Sequence, residues 1–193
     1  ILNHLSNKDF FKKINDRFEL NDEVHLTNTN DSISVFTVLN LFNSVNHSIL
    51  IITPNIFKAQ KVYEQLSNIL DQNNIGFFPQ DEFISNELLV SSMEFRIERI
   101  NTIKKIISNP KRIVVINLFG FLKPELPLTS WLDSIITLNT GLDYSIRELT
   151  DKLINYGYKK EYTVEKIGDF SIRGGIVDIY PLGAKNPYRF DFF

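Results

Sequence analysis

"RIVVIN", residues 112–117, sets four consecutive β-branched residues, Ile113 to Ile116, between a basic residue and an amide. An uninterrupted run of this kind suits a strand buried on both faces, in the middle of a parallel sheet. Upstream, short β-branched runs alternate with longer helical periods. "EVHLTN" (23–28) is a candidate strand and "SISVFTVLNLFNS" (32–44) a helix. "HSILIIT" (47–53) is a buried strand, followed by Asn55 placed to cap a helix in which Ile56, Ala59, Tyr63, Leu66 and Leu70 recur at helical spacing. "IGFF" (75–78) is a further short strand. A helix from about Ser92 carries Met93, Ile97, Ile100, Ile103 and Ile107 as its apolar stripe and ends at Pro110. The alternation predicts an α/β domain over residues 1–122, a parallel sheet with helices on both faces.

Downstream of "KPELP" (123–127) the pattern changes. "DSIITLNT", the helix "SIRELTDKLINYG", "YKKEYTVEK", "GDFSIRGGIVDIYP" and "YRFDFF" read as one helix among strands at hairpin-like spacing. Residues 123–193 are therefore expected to form a small mixed α+β domain. The chain starts at Ile1 rather than Met and stops at "YRFDFF", which reads as mid-strand, so a piece of something longer is expected.

With 43% hydrophobic residues in 193, the chain can bury a real core, and its formal charge of -2 supplies no global field to recruit nucleic acid. It contains no cysteine, which removes disulfides, thiolate metal sites and cysteine nucleophiles and fits a cytoplasmic setting. His4, His25 and His47 are scattered without carboxylates at ligand spacing, so no metal is expected. The longest apolar runs are too short to cross a bilayer, and no membrane partner is expected.

An opening strand, loop and helix would hold a nucleotide through glycines and a lysine. The corresponding loop, "LTNTNDSISVF" (26–36), has neither, and Asp31 puts negative charge where phosphates would sit. The domain reads as a degenerate P-loop-like fold that binds no cofactor, with Asp31 or Ser32 as a helix N-cap. "PQDEF" (79–83) holds an Asp-Glu pair that could be mistaken for a magnesium motif, but it follows a proline and reads as a solvated turn. No G-x-S-x-G setting surrounds any serine. No catalytic residue is expected, and the chain is not read as an enzyme. Lys104, Lys105, Lys111 and Arg112 flank a helix C-terminus, where cations complement the dipole.

"FSIRGGIVDIY" (170–180) sets a charge and two glycines inside a strand pattern. Phe170 and Ile172 alternate with Ser171 and Arg173; beyond the glycines Val177 and Ile179 alternate with Asp178 and Tyr180. The apolar phase shifts parity across Gly174 and Gly175, which reads as a β-bulge that bends the strand. Tyr188, Phe190 and Phe192 alternate in the same way with Arg189 and Asp191. If the last two strands pair, Arg173, Arg189 and Asp191 share an exposed sheet face, with Lys159 nearby. Such a face is either a solvated surface or a protein-docking surface, in which Arg and aromatic side chains are typical anchors.

These residues carry a resemblance. "GYKKEYTVEKIGDFSIRGGIVDIYPLGAKNPYRFDFF" resembles the segment shared by the excision-repair protein UvrB and the transcription-repair coupling factors, and "FFPQDEFISNELLVSSMEFRIERINTIKKI" resembles the coupling-factor version. The likeness covers most of residues 45–193, and the Arg-Gly-Gly-hydrophobic-Asp-hydrophobic-aromatic-Pro run is its most specific part. UvrB has an intact phosphate loop, a DNA-clamping hairpin for which this chain is too short, and usually an Arg where Ser171 stands. All three departures point to the amino-terminal, UvrB-like module of a coupling factor, the alternatives being a UvrB-type ATPase with a divergent phosphate loop and a generic protein-interaction domain. The resemblance implies docking to UvrA through Arg173 and also Lys159, Tyr180, Arg189 and Asp191. Lys159 stands where Arg is frequent, which keeps the charge and loses the bidentate fork. It further implies a missing return segment that completes the first domain. It also implies a separate ATP- and Mg-dependent motor, with DNA and RNA polymerase as partners of the rest of the protein.

Overall fold

A computed structural model describes residues 9–20, 23–81, 93–109 and 111–193. Of the sequence expectations, the helix start at Ser92, Glu82 of the acidic pair, Pro110 and His4 lie outside the described residues. The chain divides into two compact units, Ile1–Lys123 and Pro124–Phe193.

In the first unit, helices α1 (Asp9–Glu19) and α2 (Asp31–Ser44) precede strand β1 (Ile49–Thr53), helix α3 (Ile56–Ser67) and strand β2 (Ile75–Phe78). Helix α4 (Met93–Ser108), strand β3 (Ile113–Asn117) and the short helix α5 (Leu118–Leu122) follow. The three strands form a parallel sheet ordered β1-β3-β2, so "RIVVIN" supplies its central strand. Asn55 caps α3, its side chain accepting a bond of 2.9 Å from the Lys58 amide. One sheet face packs Ile75, Phe77, Ile113 and Val115 against Val35, Leu39 and Phe42 of α2 and Ala59 and Leu66 of α3. Burying a side chain such as Leu66 contributes roughly 1.5–3 kcal/mol.

Helix α4 lies over β2 on the other face, but not through the isoleucine stripe that the sequence predicts. Its most buried residues are Arg99 and Thr102, while Ile97, Ile100, Ile103 and Ile107 are half-buried. Gly76 causes this register: a Cβ there would stand 2.6 Å from the Thr102 methyl, so its absence lets Thr102 come close and donate 2.6 Å to the Phe77 carbonyl. Arg99 lies over the Phe78 ring, 4.3 Å from its centroid, and donates to the Pro79 carbonyl. Lys105 donates to the carbonyls of Gln72 and Ile75, and Arg112 to that of Asn73, so both bond main-chain carbonyls.

Two expected strands are absent as strands. "EVHLTN" and "DSIITLNT" pair with no ladder among the described residues, although Ile136 and Leu138 still pack on the core of the second unit. An extended run becomes a strand only where an edge accepts it.

The second unit contains α6 (Leu128–Asp133), α7 (Ile146–Asn155), β4 (Lys159–Lys160), β5 (Asp169–Arg173), β6 (Ile176–Ile179) and β7 (Tyr188–Asp191). Its sheet runs β4-β5-β6-β7, with β4 parallel to β5 and the other pairs antiparallel. Leu149 and Leu153 of α7 pack with Phe170, Val177 and Ile179.

The double glycine is not a bulge. Arg173 pairs with Ile176, so Gly174 and Gly175 are the two central residues of a tight hairpin turn. Gly174 has φ +62° while Gly175 does not enter the left-handed region, the pattern of a II′ turn. A bulge does exist six residues earlier. Gly168, at φ +92°, donates to the Tyr180 carbonyl while the Tyr180 amide donates to the Asp169 carbonyl, so two residues oppose one.

Candidate docking site on the second sheet

The loop before α2, compared in the sequence with a phosphate-binding loop, has its own local bonding. Asn30, not Asp31 or Ser32, caps α2, its side chain accepting 2.9 Å from the Ile33 amide. Asp31 lies in the first helical turn, where a carboxylate suits the helix dipole. It is bridged to α3 through Lys58 and, at 2.7 Å, Lys61. Lys58 foremost, then Lys61, bring its carboxyl down to about 2 from 3.8. A cleft of about 360 Å³ beside this loop is lined by Phe10, Phe11, Thr27, Asn28, Thr29, Ile33 and Phe36, with no cationic group among them. Among the described residues no cluster of three or more His, Asp or Glu could hold a metal ion, and no helix is long and apolar enough to cross a membrane.

On the second sheet the register decides which side chains meet. Phe170, Ile172, Val177, Ile179 and Phe190 face α7 and the core. By alternation, Lys159, Asp169, Ser171, Arg173, Asp178, Arg189 and Asp191 occupy the opposite face. Asp178 stands directly across from Ser171 on one side and Arg189 on the other. Arg189 grips it with a fork, Nε donating 2.7 Å to Oδ1 and Nη2 donating 2.9 Å to Oδ2. Arg173, two residues along β5 from Ser171, reaches diagonally across and donates from Nη2 to the same Oδ2 at 2.6 Å.

The three groups differ in exposure. The Asp178 side chain is 11% exposed, against 51% for Arg173 and 63% for Arg189. Arg189, then Arg173, hold the Asp178 carboxyl at about 2, below its usual 3.8, and the carboxylate in turn raises Arg189 further. Arginines are thus shown to solvent on a carboxylate that is not. Beneath them, the Ser171 hydroxyl is buried with no hydrogen-bond partner.

The remaining expected positions lie outside this cluster, Lys159 and Asp191 on the same face and Tyr180 just past the end of β6. Lys159 is exposed on the edge strand β4. Asp191 is exposed and accepts from the Phe193 amide at 3.2 Å, and Tyr180, at the bulge, donates its hydroxyl to the Lys185 carbonyl. Asp178 has no role in the sequence analysis. The signal was its alternation with Val177 and Ile179, but its meaning depends on the β6–β7 register. What the cluster can do is bind: two guanidiniums, fixed at one end, show N–H donors to anionic or carbonyl groups.

Comparison with known proteins bears on the whole chain. The family described as the UvrB interaction domain matches residues 136–193, which contain every residue of this sheet face. The transcription-repair-coupling factor of Bacillus subtilis (strain 168) is 36% identical over 160 residues, 83% of this chain and 14% of that protein. Those of Staphylococcus haemolyticus (strain JCSC1435) and Staphylococcus aureus (strain USA300) are 30% and 31% identical over 100% and 87% of this chain, and 16% and 14% of the relatives. The chain thus spans about a sixth of the length of the relatives it matches. On these grounds the chain belongs to the transcription-repair coupling factor family, as its amino-terminal, UvrB-like module.

Proposed function

We propose that this chain is a docking module that binds UvrA through the outward face of its second sheet, and so brings excision repair to a stalled RNA polymerase. The observation that carries the reading is the pair of exposed arginines, Arg173 and Arg189, anchored on one buried carboxylate within the matched interaction domain. Arg is a typical interface anchor, and a guanidinium already held by a carboxylate loses less freedom when a partner binds. Lys159, Tyr180 and Asp191 surround it as secondary contacts. In the same reading the chain is non-catalytic and takes no cofactor, since the loop before α2 has no glycine or lysine and Asp31 puts a carboxylate in the first turn of that helix. ATP hydrolysis, DNA translocation and polymerase contact then belong to the rest of the full-length protein.

Titrating purified UvrA with the wild-type chain, with Arg173→Ala and with Arg189→Ala tests this. Each variant is expected to weaken binding by more than about 1 kcal/mol, near 5-fold, while remaining folded. Wild-type affinity in both folded variants would place the interface elsewhere.

A further inference from the structure

We infer that Asp178 is the positioning residue of this interface: it fixes two guanidiniums in a single arrangement that an acidic surface of the partner recognises. The inference rests on the UvrA reading above and adds to it a residue that makes no contact with the partner.

Three features of the geometry lead there. The carboxylate lies below the surface, 11% exposed, so it is poorly placed to meet a partner itself. Both of its oxygens are committed to arginine, Oδ1 to Arg189 and Oδ2 to Arg189 and Arg173, although the Ser171 hydroxyl directly across the ladder goes without a partner. Finally, two guanidinium nitrogens converge on one oxygen, at 2.6 and 2.9 Å. Like charges that close repel unless an anion lies between them, so without Asp178 the two side chains swing apart. Arg189 spends Nε and Nη2 on the carboxylate and Arg173 spends Nη2, which leaves N–H donors of both on the exposed side. The triad carries one net positive charge, and its matching partner chemistry is a carboxylate pair or a carboxylate with a carbonyl.

A positioning role separates association from dissociation. Asp178→Asn leaves two arginines without their counter-charge, so attraction to an acidic partner rises while the fixed geometry is lost. Binding kinetics of the 193-residue chain to purified UvrA are expected to show an association rate equal to or above wild type. Dissociation should be faster by about 5-fold or more, the size of an interface anchor. The Asp178→Asn, Arg173→Ala double variant should dissociate no faster than the worse single variant, because both changes remove the same arrangement. A simple loss of folded protein would instead lower apparent association and leave dissociation unchanged.

A readout independent of UvrA is the exchange of the Arg189 Nε–H proton in the free chain. It is expected to be protected in wild type and to reach the rate of an exposed arginine in Asp178→Asn. Unprotected exchange in wild type, or Asp178→Asn dissociation as slow as wild type while both arginine variants dissociate faster, would overturn the positioning role and leave the docking reading standing. Wild-type kinetics in Arg173→Ala and Arg189→Ala alike would overturn the docking reading, and the role of Asp178 in it, even with Arg189 protected.

Discussion

Each unit holds a carboxylate between two cations, and the two differ in how deep the carboxylate lies, 35% exposed for Asp31 and 11% for Asp178. In the first, Asp31 lies in the first turn of α2 and receives Lys58 and Lys61 from α3, which ties two helices together. In the second, Asp178 lies beneath the sheet surface and its arginines reach outward, more than half exposed. Both carboxyls are held at about 2 by their cations. The difference is in what remains on offer. The lysine pair completes a helix junction, whereas the arginine pair keeps planar N–H edges directed at solvent.

The largest effect that would sharpen this contrast is removal of the second hub. Asp178→Ala leaves two arginines uncompensated over a mostly buried site and is expected to cost about 2 kcal/mol, between an exposed pair and a fully buried one. Chemical denaturation monitored on the second unit measures it. The same group has a pH signature. Its carboxyl is held at about 2 when folded against 3.8 unfolded, so its stabilisation is complete above about pH 4 and is lost as pH falls towards 2. That part of the acid transition should vanish in Asp178→Asn. Next in size, Gly174→Ala puts a Cβ at φ +62° in the turn that sets Arg173 against Ile176, and should cost about 1 kcal/mol, read in the same way. Asp31→Asn is expected to have the smallest effect: a melting temperature lowered less than by Asp178→Asn, and UvrA affinity unchanged. A weakened UvrA interaction in Asp31→Asn would erase the distinction between the two hubs.

Much of the first unit was legible because runs of β-branched residues mark "RIVVIN" and "HSILIIT" as strands; the first is buried as expected, whereas Leu50 and Ile52 of the second stand exposed, because a β-branched run marks a strand without fixing what covers its second face. Asn55 was legible as a cap because an N-cap is a local bond. Helix α1 was overlooked although Phe11, Ile14 and Phe18 recur at helical spacing and the first two are buried. "EVHLTN" was over-read, since β propensity does not supply a neighbour to pair with. The Gly-Gly reading went wrong for a definable reason. A bulge and a two-residue turn both shift apolar parity, and only the pairing of Arg173 with Ile176 separates them. The outward face was readable from alternation, so Arg173, Arg189 and Asp191 could be grouped together. Asp178 as hub was not, because its partner across the ladder is set by the 180–187 connection, whose length does not fix a register.

The central claim is that the cation pair on the second sheet, and not the pair on α3, meets the partner. UvrA titrated with two double variants tests it directly: Arg173→Ala, Arg189→Ala on the second sheet, and Lys58→Ala, Lys61→Ala on α3. The account predicts affinity reduced by more than about 2 kcal/mol, roughly 30-fold, for the arginine variant, and wild-type affinity for the lysine variant. Undiminished binding by the folded arginine variant, or a comparable loss in both, would contradict it.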